Sequence, residues 1–338
     1  MAAISDPLER LAASLSLGRS APSRRMLIIV NPYATTVSDR LKNLVVYALR
    51  GSYEVDAIDT EARDHATELC REAARAGYDV VVAFGGDGTV NEAANGLLGL
   101  RDGDGGAGSA AVPALTCLPG GSANVLCKML GIPGEIVDAT EHLLQLADDW
   151  RPRRVDLGYV NERKFLFSAG AGLDASVVER VDAHPRLKAR LGEYYYTWTG
   201  LQTFNRKYLL HPPQLEAELG EERVKGVTAI VQNAAPYTYF GNRPVHMGEG
   251  ASLDSGDLAG VILKRARPID VPTIIWRSLS KRARLARHRQ VHPFSGIESL
   301  RVKSLDGRPL PLQVDGDYIG EVDEALFGVE RRGIAVVA

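Results

Sequence analysis

The residues best suited to chemistry lie in the run Phe-Gly-Gly-Asp-Gly-Thr-Val-Asn-Glu at positions 84–92. The preceding segment, 79–83, is apolar and β-branched, which predicts a buried parallel strand. Two adjacent glycines, Gly85 and Gly86, let the backbone turn sharply there and approach a ligand closely. A hairpin turn would need a second strand, whereas residues 91–98 predict a helix whose N-terminus faces the turn. The run therefore predicts a phosphate-binding turn.

Side chains in this turn add acid, hydroxyl and amide groups to the backbone donors. Asp87 supplies a carboxylate suited to Mg²⁺ or to the proton of a hydroxyl group. Thr89 supplies a hydroxyl group and a backbone N–H group. We expect the nucleotide contacts of this turn to come from Gly85, Gly86, Asp87, Gly88, Thr89 and Asn91.

A second glycine turn, Pro-Gly-Gly-Ser-Ala-Asn at 119–124, follows the next predicted strand. Such a loop alone is weak evidence for a site, but two of them at successive strand ends are stronger evidence. Together with Asn31 after the first strand, they would surround one nucleotide from three sides. Ser122 offers a hydroxyl group at this turn, between Gly121 and Asn124.

Strands and helices alternate through the first part of the chain, which predicts a doubly wound parallel sheet. Ligands bind such sheets at the carboxyl ends of the strands, where both glycine turns fall. The predicted strands are 26–30, 53–58, 80–84 and 114–118, and the predicted helices are 38–50, 64–77, 91–98 and one ending at Leu130.

The sequence pattern changes near Arg151. Short alternating runs separated by Gly, Pro and Asp predict an antiparallel β-sandwich, interrupted by one helix at 185–204. The runs are 155–160, 164–169, 215–219, 227–232, 258–263, 300–304 and 312–314. The predicted domains are a tail (1–24), an α/β nucleotide-binding domain (25–150), to which residues 320–338 are able to return, and a β-sandwich domain (151–319).

The composition excludes several classes of protein. The chain has 338 residues, of which 45% are hydrophobic and 24% charged, so it is globular and long enough for two domains. A net charge of −2 gives no overall attraction to nucleic acid. Three cysteines form no disulfide framework and favour a reducing cytosol, with buried structural thiols. Residues 1–20 lack the apolar core of a signal peptide, and no uncharged apolar run is long enough to span a membrane.

Taken in order, these motifs resemble the diacylglycerol kinase catalytic family, the lipid kinases that include bacterial diacylglycerol kinases and sphingosine kinases. The resemblance covers roughly residues 25 to 338. It rests on Asn31-Pro32, Gly85 to Thr89 with Asn91-Glu92, Gly120 to Asn124, Arg154 to Gly158, Ser168 to Gly170 and Asp315 to Asp317. It implies an enzyme that uses ATP and Mg²⁺, passes the γ-phosphoryl group to a lipid hydroxyl group, and binds the lipid through its β-sandwich domain.

The resemblance also implies acidic groups in the second domain. Asp315 and Asp317 would lie beside the bound polyphosphate, where carboxylates hold Mg²⁺ or accept a proton. The attacking hydroxyl group would lose its proton to Asp317 or to Asp87. Metal-binding groups of the family correspond to the stretch 252–258, and the candidate ligands there are Ser252, Asp254 and Asp257, with Ser255 as an alternative.

The sequence departs from the family pattern at two of these places. The family often has glycine after the Asn31-Pro32 pair, whereas this chain has Tyr33-Ala34-Thr35-Thr36. Thr35 still offers a hydroxyl and an N–H group to phosphate, and Thr60 after the second strand is a further nucleotide contact. Asp317 stands where the family commonly has glutamate, and its shorter side chain changes the reach of the carboxylate.

A basic stretch at 264–289 predicts contact with an anionic membrane surface. It holds nine basic residues against one acidic residue, Asp270, a net charge of +8. Each basic residue near an anionic surface contributes about 1 kcal/mol. A solvated basic face is the alternative, and nucleic acid is not expected because the repeated aromatic residues of such surfaces are lacking. Residues 278–290 predict a helix, and the aromatic cluster at 194–204 favours core packing over an acyl-chain cleft.

The sequence thus predicts a cytoplasmic lipid kinase, peripherally associated with the inner face of the membrane. Diacylglycerol is the first expected substrate and phosphatidic acid the product, with sphingoid bases, ceramide and monoacylglycerol left open. A soluble NAD kinase shares the first glycine turn, but its second Asn-Glu motif lies far downstream, whereas Asn91-Glu92 follow here at once. A nucleotide-binding regulator without turnover is the third hypothesis, and the oligomeric state stays open.

Overall fold

The computed structural model describes residues 24–102, 112–182, 214–241, 243–265, 267–280 and 282–338. These residues form two compact units. The first comprises the described residues up to Val155 together with Gly333–Ala338, and the second comprises Asp156–Arg332. The predicted fold class is confirmed, because a parallel α/β domain precedes a domain of antiparallel sheets.

The first unit is built on a parallel sheet with the strand order β2-β1-β3-β4. The strands are β1 (Arg25–Val30), β2 (Glu54–Asp59), β3 (Val80–Gly85) and β4 (Ala114–Pro119). The helices are α1 (Asp39–Leu49), α2 (His65–Arg75), α3 (Asp87–Asp102), α4 (Val125–Met129) and α5 (Ile136–Leu146). Near the end of the chain, Val336 pairs in parallel with Leu115 of β4.

Continuous apolar sequence explains why the central strands are buried. Residues 26–30 of β1 and 80–84 of β3 are at most 2% exposed, as expected for parallel strands covered on both faces. Helix α2 buries residues at the spacing of one helical face, and it lies so close to α3 that a Cβ at Gly96 would clash with the backbone of Thr67. All three cysteines are buried free thiols, as the sequence predicts.

Helix α3 begins four residues earlier than the sequence predicts. It starts at Asp87 and not at Asn91, so that Asp87, Gly88 and Thr89 belong to its first turn. Gly88 has a low helix propensity, which moved the predicted boundary too far along the chain. An acidic residue in the first turn favours the observed start because it interacts with the positive end of the helix dipole.

The second unit contains two antiparallel sheets. One has the order β14-β13-β10-β7-β16-β17, and the other joins β18-β15-β8-β9 with β5 and β6, while β11 and β12 form a separate hairpin. The strands are β5 (Arg153–Val160), β6 (Arg163–Phe165), β7 (Ser168–Gly172), β8 (Leu215–Leu219), β9 (Glu222–Gly226), β10 (Thr228–Gln232), β11 (Thr238–Phe240), β12 (Arg243–Val245), β13 (Leu258–Leu263), β14 (Val291–Ile297), β15 (Ser299–Ser304), β16 (Leu310–Val314), β17 (Asp317–Val322) and β18 (Glu324–Val336). The helices are α6 (Leu173–Asp182) and α7 (Val271–Ser278), with a 3₁₀ turn at Leu285–Arg287.

One apolar core lies between these two sheets. Leu300 and Phe327 contribute to it from one sheet, and Val231 and Leu312 contribute from the other. Interdigitation of two inner faces is the arrangement of a β-sandwich, which the sequence predicts for this part of the chain.

Two local predictions in the second unit are wrong. The strand predicted at 164–169 is two strands, β6 and β7, because the chain bends at Leu166 and Phe167. The helix predicted at 278–290 is absent from the described residues there; a helix lies earlier, at Val271–Ser278, with proline in its first turn.

Several predicted features lie outside the described residues. They are the predicted tail except Arg24, and the helix predicted at 185–204 with its aromatic cluster. Among the residues that are described, no helix is long and apolar enough to cross a membrane.

Candidate active site

The two glycine turns pack directly against each other in the first unit. The N–H group of Gly120 donates to the carbonyl oxygen of Gly85 at 2.8 Å. A Cβ atom added to Gly121 would lie 2.7 Å from the Cα atom of Gly86, and one added to Gly120 would lie 2.8 Å from the Cα atom of Gly85. Glycine is therefore required at the contact because the two backbones leave no space for a side chain.

Asn31 ties the end of β1 to the first glycine turn. Its backbone N–H group donates to Phe84 at 2.9 Å, and its side-chain Nδ2 donates to the hydroxyl oxygen of Thr89 at 3.1 Å. Its Oδ1 accepts the N–H group of Tyr33 at 3.0 Å. The N–H group of Thr36 donates to the carbonyl oxygen of Gly120 at 3.1 Å. The carboxyl ends of β1, β3 and β4 therefore meet here.

The start of α3 presents backbone donors at this place. Its first helical hydrogen bond runs from the N–H group of Val90 to the carbonyl oxygen of Gly86 at 3.2 Å. The N–H groups of Asp87, Gly88 and Thr89 therefore have no acceptor within the helix. Such a helix start attracts anions, because its free N–H groups and its dipole both favour negative charge.

Asp87 connects the first turn to the helix that follows the second. Its Oδ1 accepts the backbone N–H group of Leu126 at 3.2 Å, near the start of α4. Loss of water raises the pKa of the Asp87 carboxyl above its ordinary value, although the N–H groups at the start of α4 and the Lys128 ammonium group partly oppose this shift. The start of α4, which follows the second glycine turn, therefore holds the Asp87 side chain in place.

The other predicted nucleotide contacts divide into exposed and structural residues. Ser122 and Thr35 are exposed residues. Asn124 adopts a left-handed backbone conformation and exchanges two hydrogen bonds with Gly121, of 2.9 and 2.7 Å. Asn91 is 1% exposed and accepts a hydrogen bond from Asn95 within α3. Asn124 and Asn91 thus shape the turn and the helix.

Thr60 lies after β2 and is partly buried. Its backbone N–H group donates to the carbonyl oxygen of Val30 at 2.8 Å, which extends the pairing of β1 with β2. This bond leaves the hydroxyl group of Thr60 at the carboxyl end of the sheet, the edge at which both glycine turns lie.

In the second unit, Asp315 fixes the turn that carries Asp317. The Asp315 carboxylate is 4% exposed and accepts three backbone N–H groups, those of Leu166, Phe167 and Ser168, at 2.7, 3.0 and 3.1 Å. These three bonds hold the turn against the bend between β6 and β7. Asp317 follows at the start of β17 and is only partly buried.

A polar network that sequence reasoning missed supports the same turn. Gln313 accepts the N–H group of Gly316 at 3.0 Å and donates its amide to Asp174 at 2.8 Å. The hydroxyl group of Tyr237 donates to the other oxygen of Asp174 at 2.7 Å. Burial raises the pKa of the Asp174 carboxyl, and these two donors partly oppose the shift. The sequence gives one indication of this network, which is the glycine at position 170. In the structure, a Cβ at Gly170 would clash with the Asp174 carboxylate.

Asp156 organises the loop that carries the candidate metal ligands. This carboxylate is 3% exposed and accepts the N–H groups of Gly256 and Arg332, both at 2.7 Å. In the loop, the Ser252 hydroxyl group donates to Asp254 at 2.8 Å. The Oδ1 atom of Asp257 is buried and has no hydrogen-bond partner among the described residues.

The loop therefore offers a cation one buried carboxylate oxygen, on Asp257, and one exposed carboxylate, on Asp254. A cluster of three or more His, Cys, Asp or Glu side chains suited to a metal does not occur in the described part of the chain. This donor set fits Mg²⁺, which often takes one or two carboxylates and completes its coordination with water.

Comparisons with known proteins agree with this architecture. Residues 25–160 match the diacylglycerol kinase catalytic domain. Residues 25–160 therefore form a diacylglycerol kinase catalytic domain. The chain is a lipid kinase, and a kinase domain of this kind implies the use of ATP.

Relatives resemble the chain over most of its length. A diacylglycerol kinase of Bacillus subtilis (strain 168) is 27% identical over 316 residues, which are 91% of this chain and 95% of the relative. One of Staphylococcus aureus (strain bovine RF122 / ET3-1) is 26% identical over 318 residues, 91% of each chain. A solved diacylglycerol kinase structure from Bacillus anthracis str. Sterne has a TM-score of 0.64 at 18% identity, covering 93% of this chain and 96% of that one, and shares the fold.

Proposed function

We propose that this lipid kinase transfers the γ-phosphoryl group of ATP to the hydroxyl group of diacylglycerol, giving phosphatidic acid. The observation that carries the proposal is the direct packing of two glycine turns at the carboxyl ends of adjacent parallel strands. Relatives named diacylglycerol kinase favour this lipid over sphingoid bases, ceramide or monoacylglycerol.

In this proposal the nucleotide binds at the glycine turns of the first unit. The N–H groups of Asp87, Gly88 and Thr89 bind phosphate oxygens, and the hydroxyl group of Ser122 adds a donor from the second turn. Asn31 holds the Thr89 hydroxyl group in position. Thr35 and Thr60 supply further contacts at the ends of β1 and β2.

Asp317 accepts the proton of the attacking hydroxyl group. Both oxygens of Asp315 are engaged by backbone N–H groups, so Asp315 positions the turn and leaves Asp317 as the carboxylate able to move a proton. Asp87 is the alternative base, but its contact with Leu126 favours a role in holding the two glycine turns together.

We assign Mg²⁺ binding to Asp257 and Asp254, with Ser252 supporting Asp254. The buried oxygen of Asp257, which has no hydrogen-bond partner in the described part of the chain, is the feature that supports this assignment. When bound in a kinase, Mg²⁺ neutralises charge on the phosphate groups.

The lipid reaches the enzyme at a membrane. The basic stretch at 264–289 supplies attraction to anionic headgroups, so we place the protein in the cytoplasm at the inner face of the membrane.

The test of the proposed function is direct. The protein is incubated with labelled ATP, Mg²⁺ and separate mixed micelles of diacylglycerol, monoacylglycerol, ceramide and a sphingoid base, and the labelled product is identified. We expect labelled phosphatidic acid as the main product. A different labelled lipid would replace diacylglycerol as substrate. In a parallel incubation with NAD in place of lipid, label on NAD would support the NAD kinase. ATP binding without lipid-dependent ADP release would support a regulator.

A further inference from the structure

We propose that α7 inserts an apolar face into the headgroup region of an anionic bilayer, with the surrounding basic residues holding it there. The α7 apolar face consists of Ile269, Pro272, Ile275 and Trp276. Three of these side chains are large, apolar and exposed: Ile269 by 77%, Ile275 by 49% and Trp276 by 60%. The inference rests on the proposed function only in that a lipid substrate requires the enzyme to reach a membrane.

The exposed residues share one side of the helix. Pro272, Ile275 and Trp276 are spaced i, i+3 and i+4, which places them on the same face of an α-helix. Ile269 precedes the helix by two residues. A group of exposed apolar side chains on one helix face indicates an interaction surface, whereas isolated exposed apolar side chains are ordinary.

The opposite side of α7 is fixed to the protein. Ile274 packs against the cluster of Ile230, Val261, Leu285 and Val291, and Ser278 is buried. The carbonyl oxygen of Ser278 accepts the N–H group of His246 at 2.8 Å. Exposure of the apolar face is therefore a property of a helix that is firmly packed on its other side.

Basic groups flank this face on both sides in sequence. Among the described residues of 264–289, six basic side chains have no acidic partner in the described structure: Lys264, Arg265, Arg267, Arg277, Arg282 and Arg287. The single acidic residue, Asp270, is 3% exposed and paired with Arg289 at 2.8 Å. The face thus meets a partner with apolar surface and negative charge.

An anionic bilayer is the occupant that fits both properties. Tryptophan prefers the membrane–water interface, where its ring is apolar and its N–H group finds a polar partner. Helices that lie in this interface combine an apolar face with lysine and arginine. A short helix with an apolar face of one turn is suited to shallow insertion at headgroup level.

Fluorescence of Trp276 tests the insertion without any reference to catalysis. The chain has three tryptophans, and the variant W150F/W198F keeps Trp276 as the sole one. With vesicles of phosphatidylglycerol and phosphatidylcholine we expect a blue shift, and quenching by acyl chains brominated near the headgroup that exceeds quenching by deeper bromines. Vesicle binding with unchanged Trp276 emission would overturn the proposal.

Cosedimentation of otherwise wild-type protein provides a second test that does not depend on the tryptophan variant. We expect I275S/W276S to weaken binding to anionic vesicles by about tenfold or more. The matched control is Tyr47→Ser, which removes an aromatic side chain that is 69% exposed on α1, and it should bind as wild type does. Equal binding by I275S/W276S and wild type would overturn the proposal. A wild-type dimer that becomes a monomer in I275S/W276S would also overturn it, because the face would then be a dimer interface.

Activity on a short-chain, water-soluble diacylglycerol separates this inference from the proposed function. I275S/W276S should phosphorylate that substrate at the wild-type rate and lose activity on vesicles. If the wild type phosphorylates no lipid, the proposed function fails while the fluorescence result still decides the insertion. If I275S/W276S loses both activities equally, α7 serves the active site and the insertion is refuted.

Discussion

Burial raises the pKa of the Asp87 carboxyl, and the same carboxyl group accepts a hydrogen bond from α4. We predict that Asp87→Asn lowers kcat by about 10²-fold or more, which corresponds to about 2.7 kcal/mol at the transition state. The carboxylate stands where we propose that phosphate binds, and it also accepts the N–H group of Leu126. Asparagine keeps the size and one acceptor oxygen, so the protein should stay folded by circular dichroism. The control Asp39→Asn, in the exposed first turn of α1, should leave kcat unchanged; activity of Asp87→Asn within a few-fold of wild type would refute the role.

Asp317 is predicted to act on the rate and not on nucleotide affinity. A base is needed only when the proton moves, so Asp317→Asn should lower kcat strongly while the dissociation constant of ATP, measured by calorimetry, changes little. The control is Asp323→Asn, which removes an exposed carboxylate just after the far end of β17. Loss of ATP binding with normal kcat at saturation would assign Asp317 to a nucleotide or metal site and make Asp87 the better base.

Asp174 gives a prediction about pH. Burial raises the pKa of its carboxyl in the folded state above the unfolded value, so its contribution to stability is fully present below the unfolded pKa and is lost as pH rises through the folded pKa. The free energy of unfolding of wild type, minus that of Asp174→Asn, should therefore increase as pH is lowered from 7 to 4. Urea unfolding of both proteins at several pH values measures this difference. A difference that decreases on acidification would show that the Tyr237 and Gln313 hydrogen bonds outweigh burial.

Individual residues differ in how far the sequence could assign them. The glycines of both turns were predictable because only glycine allows such backbone approach. The phosphate site around Asp87 stays a prediction from the motif. Asp174 and Gln313 were not predictable, because the hydrogen bond between them joins residues 139 apart in the chain. Asp315 was predicted beside phosphate as a catalytic group, yet its contacts with the bend at 166–168 depend on a turn that local sequence does not specify.

At the scale of elements, the contact between the two glycine turns is the feature most open to test. Gly121→Ala would place a Cβ 2.7 Å from the Cα atom of Gly86, so the turns must separate. We predict at least about tenfold weaker ATP binding, a loss of about 1.4 kcal/mol. The control is Gly134→Ala, where a Cβ meets nothing within 4 Å and ATP affinity should not change. The dissociation constant of ATP is measured by calorimetry. If Gly121→Ala binds ATP as tightly as wild type, the contact between the turns is not needed for nucleotide binding.

Element prediction succeeded where burial alone decides structure. β1 and β3 are apolar on both faces, and continuous apolar sequence between turn residues is sufficient to identify such strands. It failed where local propensity and context disagree. Gly88 is a poor helix former, yet the strand end and Asp87 fix it in the first turn of α3. Charge pattern placed a helix at 278–290, whereas Pro272 and the packing of Ile274 favour one at 271–278.

At the scale of the whole molecule, charge is concentrated on one segment. The chain has a net charge of −2, while residues 264–289 carry +8. Attraction between this segment and anionic lipid depends on the Debye length, which is about 8 Å at physiological ionic strength and shorter at higher salt. The proposed insertion of the α7 apolar face does not depend on salt in this way, so the two proposed contributions to membrane binding are separable by experiment.

We predict that the protein binds vesicles rich in anionic lipid and that about 0.5 M salt releases it. Replacing Lys281, Arg282, Arg284 and Arg287 by glutamine should weaken both vesicle binding and activity on a bilayer substrate, since each basic residue near the surface contributes about 1 kcal/mol. Arg284 pairs with Glu249 at 3.2 Å and should contribute least. Activity on a water-soluble diacylglycerol should be nearly unchanged, because the substitutions leave both glycine turns and the Asp317 turn intact. Equal loss of activity on both substrates would show that these residues serve folding or catalysis. If vesicle binding survives 0.5 M salt only while Trp276 is present, the remaining affinity belongs to the α7 apolar face.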